Sequence, residues 1–325
     1  MRAPALGALL LLFALTPARA APTDLRAALA PAERALAARQ YAPAYRAYRR
    51  HAATNALAQF NLGLFEQHGW GRPADPVAAC AWFAQAAHGQ IPAAQQFFGD
   101  CLARGIGRAV DGPAAVAWYR KAAAAGIAVA DCAAGELYLA GVVVTGDTAR
   151  GLALCSAAAQ AGSLPAMLRL AHYYQGQGQA EGQAEGQASP APARFWYLQA
   201  AQHHQAGAQF ALGLMLAAGE GGPADLAQAR FWLEHAAMQG YAPAYLATAI
   251  LYANAPTDPG TGALEPNDLA RVYMWNRAAR ARTSHPAQLA DIDRIDALVM
   301  AVMPAQWQAE LDQRVAAHLA QYRAP

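Results

Sequence analysis

FGDCLARGIGRAVDGPAAVAWYRKAAAAG, from Phe98 to Gly126, is the stretch whose reading decides the fold. Counted from Gly99, glycines stand at +6 (Gly105) and +8 (Gly107), an aspartate at +12 (Asp111) and a tryptophan at +19 (Trp118), with Ala122 and Ala123 four and five residues later. The same ruler laid on Gly63 meets Gly69, Gly71, Asp75, Trp82, Ala86 and Ala87. Laid on Gly213 it meets Gly219, Gly221, Asp225, Trp232, Ala236 and Ala237. Trp82 and Trp118 are 36 residues apart, as are Trp196 and Trp232. A fixed period of this length marks stacked helical repeats.

Each offset has a physical cause. The origin glycine leaves room where two antiparallel helices cross closely. The glycine at +6 follows an apolar helix and is free to take the left-handed conformation that ends it. The aspartate at +12 precedes an Ala-rich run, where its carboxylate accepts from the orphan N–H groups of the next helix. Tryptophan and the paired alanines are expected to form the buried stripe of that second helix. The unit reads as helix, tight turn, helix.

At these residues the pattern Ala…Leu-Gly…Gly-x-Gly…Asp…Ala…Trp-Tyr-x-x-Ala-Ala resembles the Sel1-like repeat, a relative of the tetratricopeptide repeat. The resemblance covers roughly residues 55–282 and implies an all-α, right-handed α/α superhelical solenoid. It also implies an adaptor role in signalling or envelope assembly, although fold alone does not fix function.

The chain opens MRAPALGALLLLFALTPARA, with Arg2, an apolar run from Ala5 to Leu15, and Ala18-Arg19-Ala20 before Ala21. This is the layout of a secretory signal peptide over residues 1–20, and its apolar run is shorter than the roughly 20 residues a membrane span needs. Export is expected, to the periplasm if the source is Gram-negative and otherwise to the medium. Cleavage removes Arg2 and Arg19 and no acid, so 24 minus 2 leaves 22 basic residues against 22 acidic ones. A balanced mature chain argues against nucleic-acid binding, which would show a basic face.

Residues 21–54 read as a degenerate helical pair that caps the stack, because an end repeat has an unsatisfied face. There Thr23 and Asp24 are expected to cap a helix carrying Leu25, Leu29 and Leu36. About six repeats follow over 55–282. Repeat three replaces the second glycine with Val143 and the tryptophan with Leu154; repeats four and six have Ala171 and Ala249 at the origin. Between Gly176 and Pro192 the tract GQGQAEGQAEGQASPAP intrudes. Without large apolar residues it is expected to form a loop insertion. Asp268 is expected to cap the second helix of repeat six. Residues 283–325 read as two capping helices, with Leu289, Ile292, Ile295, Val299 and Val302 on one stripe.

Four cysteines in an exported chain suggest two disulfides. Within a repeat the two helices fold back near +9, so facing offsets sum to about 18; Cys132 and Cys155 lie at −3 and +20 from Gly135 and sum to 17. Cys80 and Cys101 flank the turn near residues 89–91, and their mean is 90.5. The expected pairs are Cys80–Cys101 and Cys132–Cys155.

The chemistry-bearing residues mostly fall on structural positions. The glycines punctuate helices rather than follow a strand, so they form no phosphate cradle. Asp75, Asp111, Asp147 and Asp225 occupy cap positions. His203, His204 and His235 lie on adjacent repeats at different heights, which does not make a ligand set. No catalytic residue, cofactor site or metal site is assigned. What remains is surface. In tetratricopeptide-like solenoids the first helices line a concave groove, which would place groove residues at +1, +4 and +5 of each repeat. These are Gln67 and His68, then Asp100 and Arg104, then Glu136, then His172 and Gln175. Further along the face turns apolar, with Leu214, Ala217, Ala218, Ile250 and Ala253. Such a groove suits an extended peptide or a partner's helix. The expected function is a non-catalytic scaffold that binds a protein or peptide partner. The alternative is a module that binds peptidoglycan or its peptides, which sedimentation with purified sacculi would reveal.

The cysteine pairing is checked by alkylating the unfolded, unreduced protein and weighing it. Two disulfides leave the mass unchanged, whereas four alkyl adducts contradict the pairing.

Overall fold

In the structure, a computed structural model that describes residues 26–176 and 189–322, the aspartates at +12 open helices. Asp75 Oδ1 accepts from the N–H groups of Val77 and Ala78 at 3.1 and 2.9 Å. Asp111, Asp147 and Asp225 accept from the N–H of the residue three positions on, at 2.9, 2.9 and 3.0 Å. The backbone N–H of the same position closes the turn. Asp75, Asp147 and Asp225 donate to the carbonyls of Glu66, Tyr138 and Leu216 at 2.8, 3.0 and 2.9 Å. In repeat four Ser189 makes this bond to Tyr174 at 2.7 Å, so the turn closes in the same way around a longer connection.

The glycines at +6 end the preceding helices in the left-handed conformation: φ is 65° at Gly69, Gly105 and Gly141, and 72° at Gly219. The N–H groups of Trp70, Ile106 and Glu220 then reach back to the carbonyls of Phe65, Cys101 and Met215, the Schellman closure. At the origin, a Cβ on Gly63 would lie 2.4 Å from the Phe83 ring, and one on Gly213 would lie 2.6 Å from Leu233. Gly135 and Gly151 face each other, each with the other's carbonyl oxygen inside 3 Å of where a Cβ would stand.

Helices are the only regular secondary structure among the described residues. They are α1 (Ala30–Ala37), α2 (Tyr41–His51), α3 (Ala56–His68), α4 (Pro76–His88), α5 (Pro92–Arg104), α6 (Gly112–Ala124), α7 (Val129–Ala140) and α8 (Thr148–Gln160). Then come α9 (Leu164–Tyr174), α10 (Pro190–Gln202), α11 (Ala206–Ala218), α12 (Leu226–Met238), α13 (Ala242–Ala253), α14 (Pro266–Arg280), α15 (Pro286–Val302) and α16 (Ala305–Gln321). The chain divides into two compact units, one ending at Val110 and the other beginning at Asp111, a division that composition does not mark. The first holds α1–α5 around Leu29, Tyr48, Leu62 and Phe65, all buried. The second holds α6–α16. One of its cores surrounds Leu170, Tyr197 and Leu212, and another surrounds Tyr245, Val272, Trp275 and Ile292. There α15 and α16 pack on α14, with Tyr273 OH donating to Asp312 Oδ1 at 2.8 Å and Tyr245 OH 3.0 Å from His318 Nε2.

The glycine at +8 is explained by packing that the sequence did not show. Gly71, Gly107 and Gly221 all have φ near 70°, and a Cβ there would press on Tyr41, Val77 and Pro190 respectively, at 2.8, 2.7 and 2.3 Å. Each partner begins the second helix of the preceding pair. Repeat three carries Val143 at +8, and there the glycine has moved to the other side of the contact: a Cβ on Gly112 would stand 2.0 Å from the Val143 carbonyl oxygen. Either partner can be the small one.

Several expectations need correction. Trp82, Trp118, Trp196 and Trp232 are only half-buried, and the core slot belongs to the next residue: Phe83, Tyr119, Cys155, Tyr197 and Leu233 are all buried. The tryptophans lie against cations or neighbouring rings instead, with Arg49 over Trp82 at 5.2 Å and Lys121 over Trp118 at 4.0 Å. Pro190, Ala191 and Pro192 belong to α10, so the insertion ends earlier than composition suggested. Asp268 lies inside the first turn of α14, paired with Arg271 at 3.5 Å, rather than at its cap. Val302 is 65% exposed and leaves the stripe of α15. The expected leader, the Thr23–Asp24 cap with Leu25, and most of the glutamine-glycine tract lie outside the described residues.

At the turns that end repeats one to five, position +27 is left-handed. It is glycine at 126, 162 and 240, but Gln90 holds φ at 64° and His204, its counterpart in repeat four, at 57°. A side chain there costs about 1–2 kcal/mol, which outweighs the about 0.4–1 kcal/mol that glycine's extra unfolded-state freedom removes. Gln90→Gly is therefore expected to raise stability in urea by about 1 kcal/mol. Gly135→Ala is expected to lower it by about 1–3 kcal/mol, because the atom it meets is backbone and cannot rotate away. Chemical denaturation reads both, and a neutral Gly135→Ala would contradict the close crossing.

Candidate functional site

The four cysteines form two pairs, and one of them lines a cavity. Cys80 on α4 and Cys101 on α5 stand at disulfide distance, with Sγ atoms 1.97 Å apart, and so do Cys132 on α7 and Cys155 on α8 at 2.02 Å.

In the first unit, the Cys80–Cys101 pair lies beside a cavity of about 240 Å³. Phe83 and Phe97 line it, their rings stacked at 4.8 Å. Gln67 from α3 and Asp100 and Arg104 from α5 also line it. These three groove candidates thus meet at one opening because α3 and α5 are the first helices of successive repeats. His68 is not part of it; its ring stacks on Trp70 at 5.1 Å.

The second unit contains a larger cavity of about 400 Å³, lined from α9, α10, α11 and the residue before α13. His172 and Gln175 reach it from α9, and Leu214 reaches it from α11. Gln175 Oε1 accepts from Tyr197 OH at 2.5 Å. Burial pushes the Tyr197 phenol up to about 12. The His172 ring packs edge-on to Tyr197 at 5.9 Å, and burial together with Arg169 holds it below its ordinary value, so it is neutral at pH 7. Glu136 lies apart from this cavity, in an ion pair with Arg169 at 3.1 Å. Of the apolar candidates, Ala253 lines a separate cleft with Leu264 and Leu269, and Ile250 is 38% exposed. His235 packs against the Phe231 ring at 4.2 Å, and His203 and His204 sit in the turn after α10.

Sequence reasoning missed most of the larger cavity. Leu168 and Phe210 stand at −3, one helical turn before the +1 positions, and the i, i+4 rule would have found them. Tyr241, at +28 on the inter-repeat turn, also lines it.

Tyr197 gives a pH test. A phenol whose folded value lies above its unfolded value of 10.0 contributes stability that is intact below pH 10 and is lost as pH rises towards 12. Tyr48 is raised in the same way, so Tyr197→Phe should reduce the slope of the stability profile across that window by one group's share, and an unchanged slope would show that Tyr197 is not one of the buried titrating groups.

The Sel1 repeat model matches residues 56–90, 92–127, 128–163, 164–204 and 206–241. A Sel1 repeat protein from Oxalobacter formigenes has a similar structure, with a TM-score of 0.58 and 25% identity, over 78% of this chain and 100% of that one. A second similar structure is c5321, a protective antigen present in uropathogenic Escherichia coli strains displaying an SLR fold. Its TM-score is 0.56 at 22% identity, over 88% of this chain and 60% of that one, and it speaks to the fold alone. No curated protein matches the chain. Five matched repeats in phase cover more than half of the sequence, and the chain belongs to the Sel1 repeat family.

Proposed function

We propose that this chain is an exported, non-catalytic scaffold that captures a segment of a partner protein on the first helices of its repeats. The observation that carries the reading is the larger cavity. Successive first helices α9 and α11 and Tyr241 converge on it, and none of its lining residues is an acid, a lysine or an arginine. It offers hydrogen bonds and apolar surface rather than a paired acid and base, which suits binding more than turnover. The smaller cavity adds a charged rim at Asp100 and Arg104 within its own unit.

Export is supported by the composition of residues 1–20 and by the two cysteine pairs at disulfide distance, which fit an oxidising compartment. N-terminal sequencing of the protein recovered from its own cells should begin at Ala21. Recovery of chain starting at Met1 in the cytosol would contradict it.

Capture is tested by affinity purification from an extract of the source cells. Leu214 is 42% exposed and Phe231 50%, so charging either one spares the core. Leu214→Glu is expected to reduce recovery of the partner about tenfold or more, as loss of a central interface residue does. Phe231→Glu, on a second helix, should leave recovery and melting temperature unchanged. The opposite ranking would place the binding face on the second helices.

A further inference from the structure

We infer that the cavity between α9 and α11 holds an extended peptide segment by its main-chain carbonyl oxygens, beside an uncharged apolar side chain. The inference rests on the binding reading above and names the ligand of that site. A glutamine amide has an acceptor end and a donor end, and it presents whichever its surroundings leave over. Here internal bonds decide. Gln175 Oε1 accepts from Tyr197 OH, and Gln205 Oε1 accepts from the backbone N–H of Ala208, capping α11. Both residues line the cavity, and both amides have their oxygens engaged inside the protein. Their NH₂ groups have no other hydrogen-bond partner among the described residues. Turning Gln205 over would aim its NH₂ at the Ala208 N–H and orphan a donor of the helix terminus. The cavity therefore offers a donor fixed by the helix terminus at Gln205, and a second at Gln175 with Tyr197 donating to its oxygen.

Extended peptide backbone supplies matching acceptors at regular intervals along its edge. A carboxylate or phosphate would find the same donors but no countercharge, since the lining holds no arginine or lysine and His172 is neutral at pH 7. Desolvating an unpaired anion there is unfavourable. The lining also includes Leu168, Phe210 and Leu214, which suit an aliphatic or aromatic side chain, and a volume of about 400 Å³ accommodates a short segment but not a folded domain.

The test is selection of the full chain against a library of acetylated, amidated octapeptides randomised at their four central positions. Enrichment of aliphatic or aromatic residues there, with Asp, Glu, Lys and Arg depleted, is expected. Titrating the most enriched peptide should shift the side-chain NH₂ resonances of Gln175 and Gln205. Two variants keep the internal bond while removing the donor: Gln175→Glu still accepts from Tyr197, and Gln205→Ser still caps α11. Each should weaken that peptide about tenfold, the usual net worth of one hydrogen bond, with the melting temperature unchanged. Enrichment of charged residues, absence of any enrichment, or wild-type affinity in both variants would overturn the inference. If partner capture in cell extract still depends on Leu214 in that event, the binding reading stands and only the ligand class is wrong. If it does not, both fall.

Discussion

The structure depends on how closely the two helices of each repeat approach at the origin position. A Cβ at Gly63 or Gly213 would run into a side chain of the opposing helix, and at Gly135 it would run into backbone. Where the origin is Ala171 or Ala249 that residue is still fully buried, so the constraint is on size rather than on glycine as such. The left-handed glycine at +6 and the capped aspartate at +12 follow from this, because a close pair needs a turn that reverses the chain at once. Cys132 and Cys155 flank the Gly135–Gly151 crossing, where the closest approach brings the two sulfurs together. Closing loops of 21 and 23 residues adds about 3 kcal/mol each in the chain-entropy picture.

A second constraint links each repeat to the one before it. The glycine at +8 looks like part of the same turn, but its partner is the start of the preceding second helix. Val143 and Gly112 show this by exchange: when the turn carries the bulk, the helix start gives it up. The repeat is therefore not a self-contained unit, and one of its most recognisable residues belongs to an interface between repeats.

What was legible in the sequence follows from which interactions are local. Caps and left-handed turns involve neighbours a few residues away, and Asp75, Gly105 and Asp147 could be assigned from spacing alone. Burial across repeats could not. Positions +19 and +20 both fall within the apolar arc of the second helix, and only packing decides that Tyr197 enters the core while Trp196 stays half-exposed. The same holds at the surface. The offsets +1, +4 and +5 found Gln67, Asp100, Arg104, His172, Gln175 and Leu214, which line cavities. They also named Glu136, whose carboxylate pairs with Arg169. Gln205 was hidden because its position reads as a helix cap, and only its internal bond reveals the donor it presents.

We propose that the residues that meet a partner lie on the first helices, apart from the glycines, aspartates and core residues that build the repeats. The most direct measurement is photo-crosslinking in the source cells with a photoreactive residue at His172 on α9 or at Phe195 on the outer side of α10, where 51% of the side chain is exposed. The account predicts a discrete protein adduct from position 172 and none from position 195. An adduct from 195 with none from 172 would contradict it.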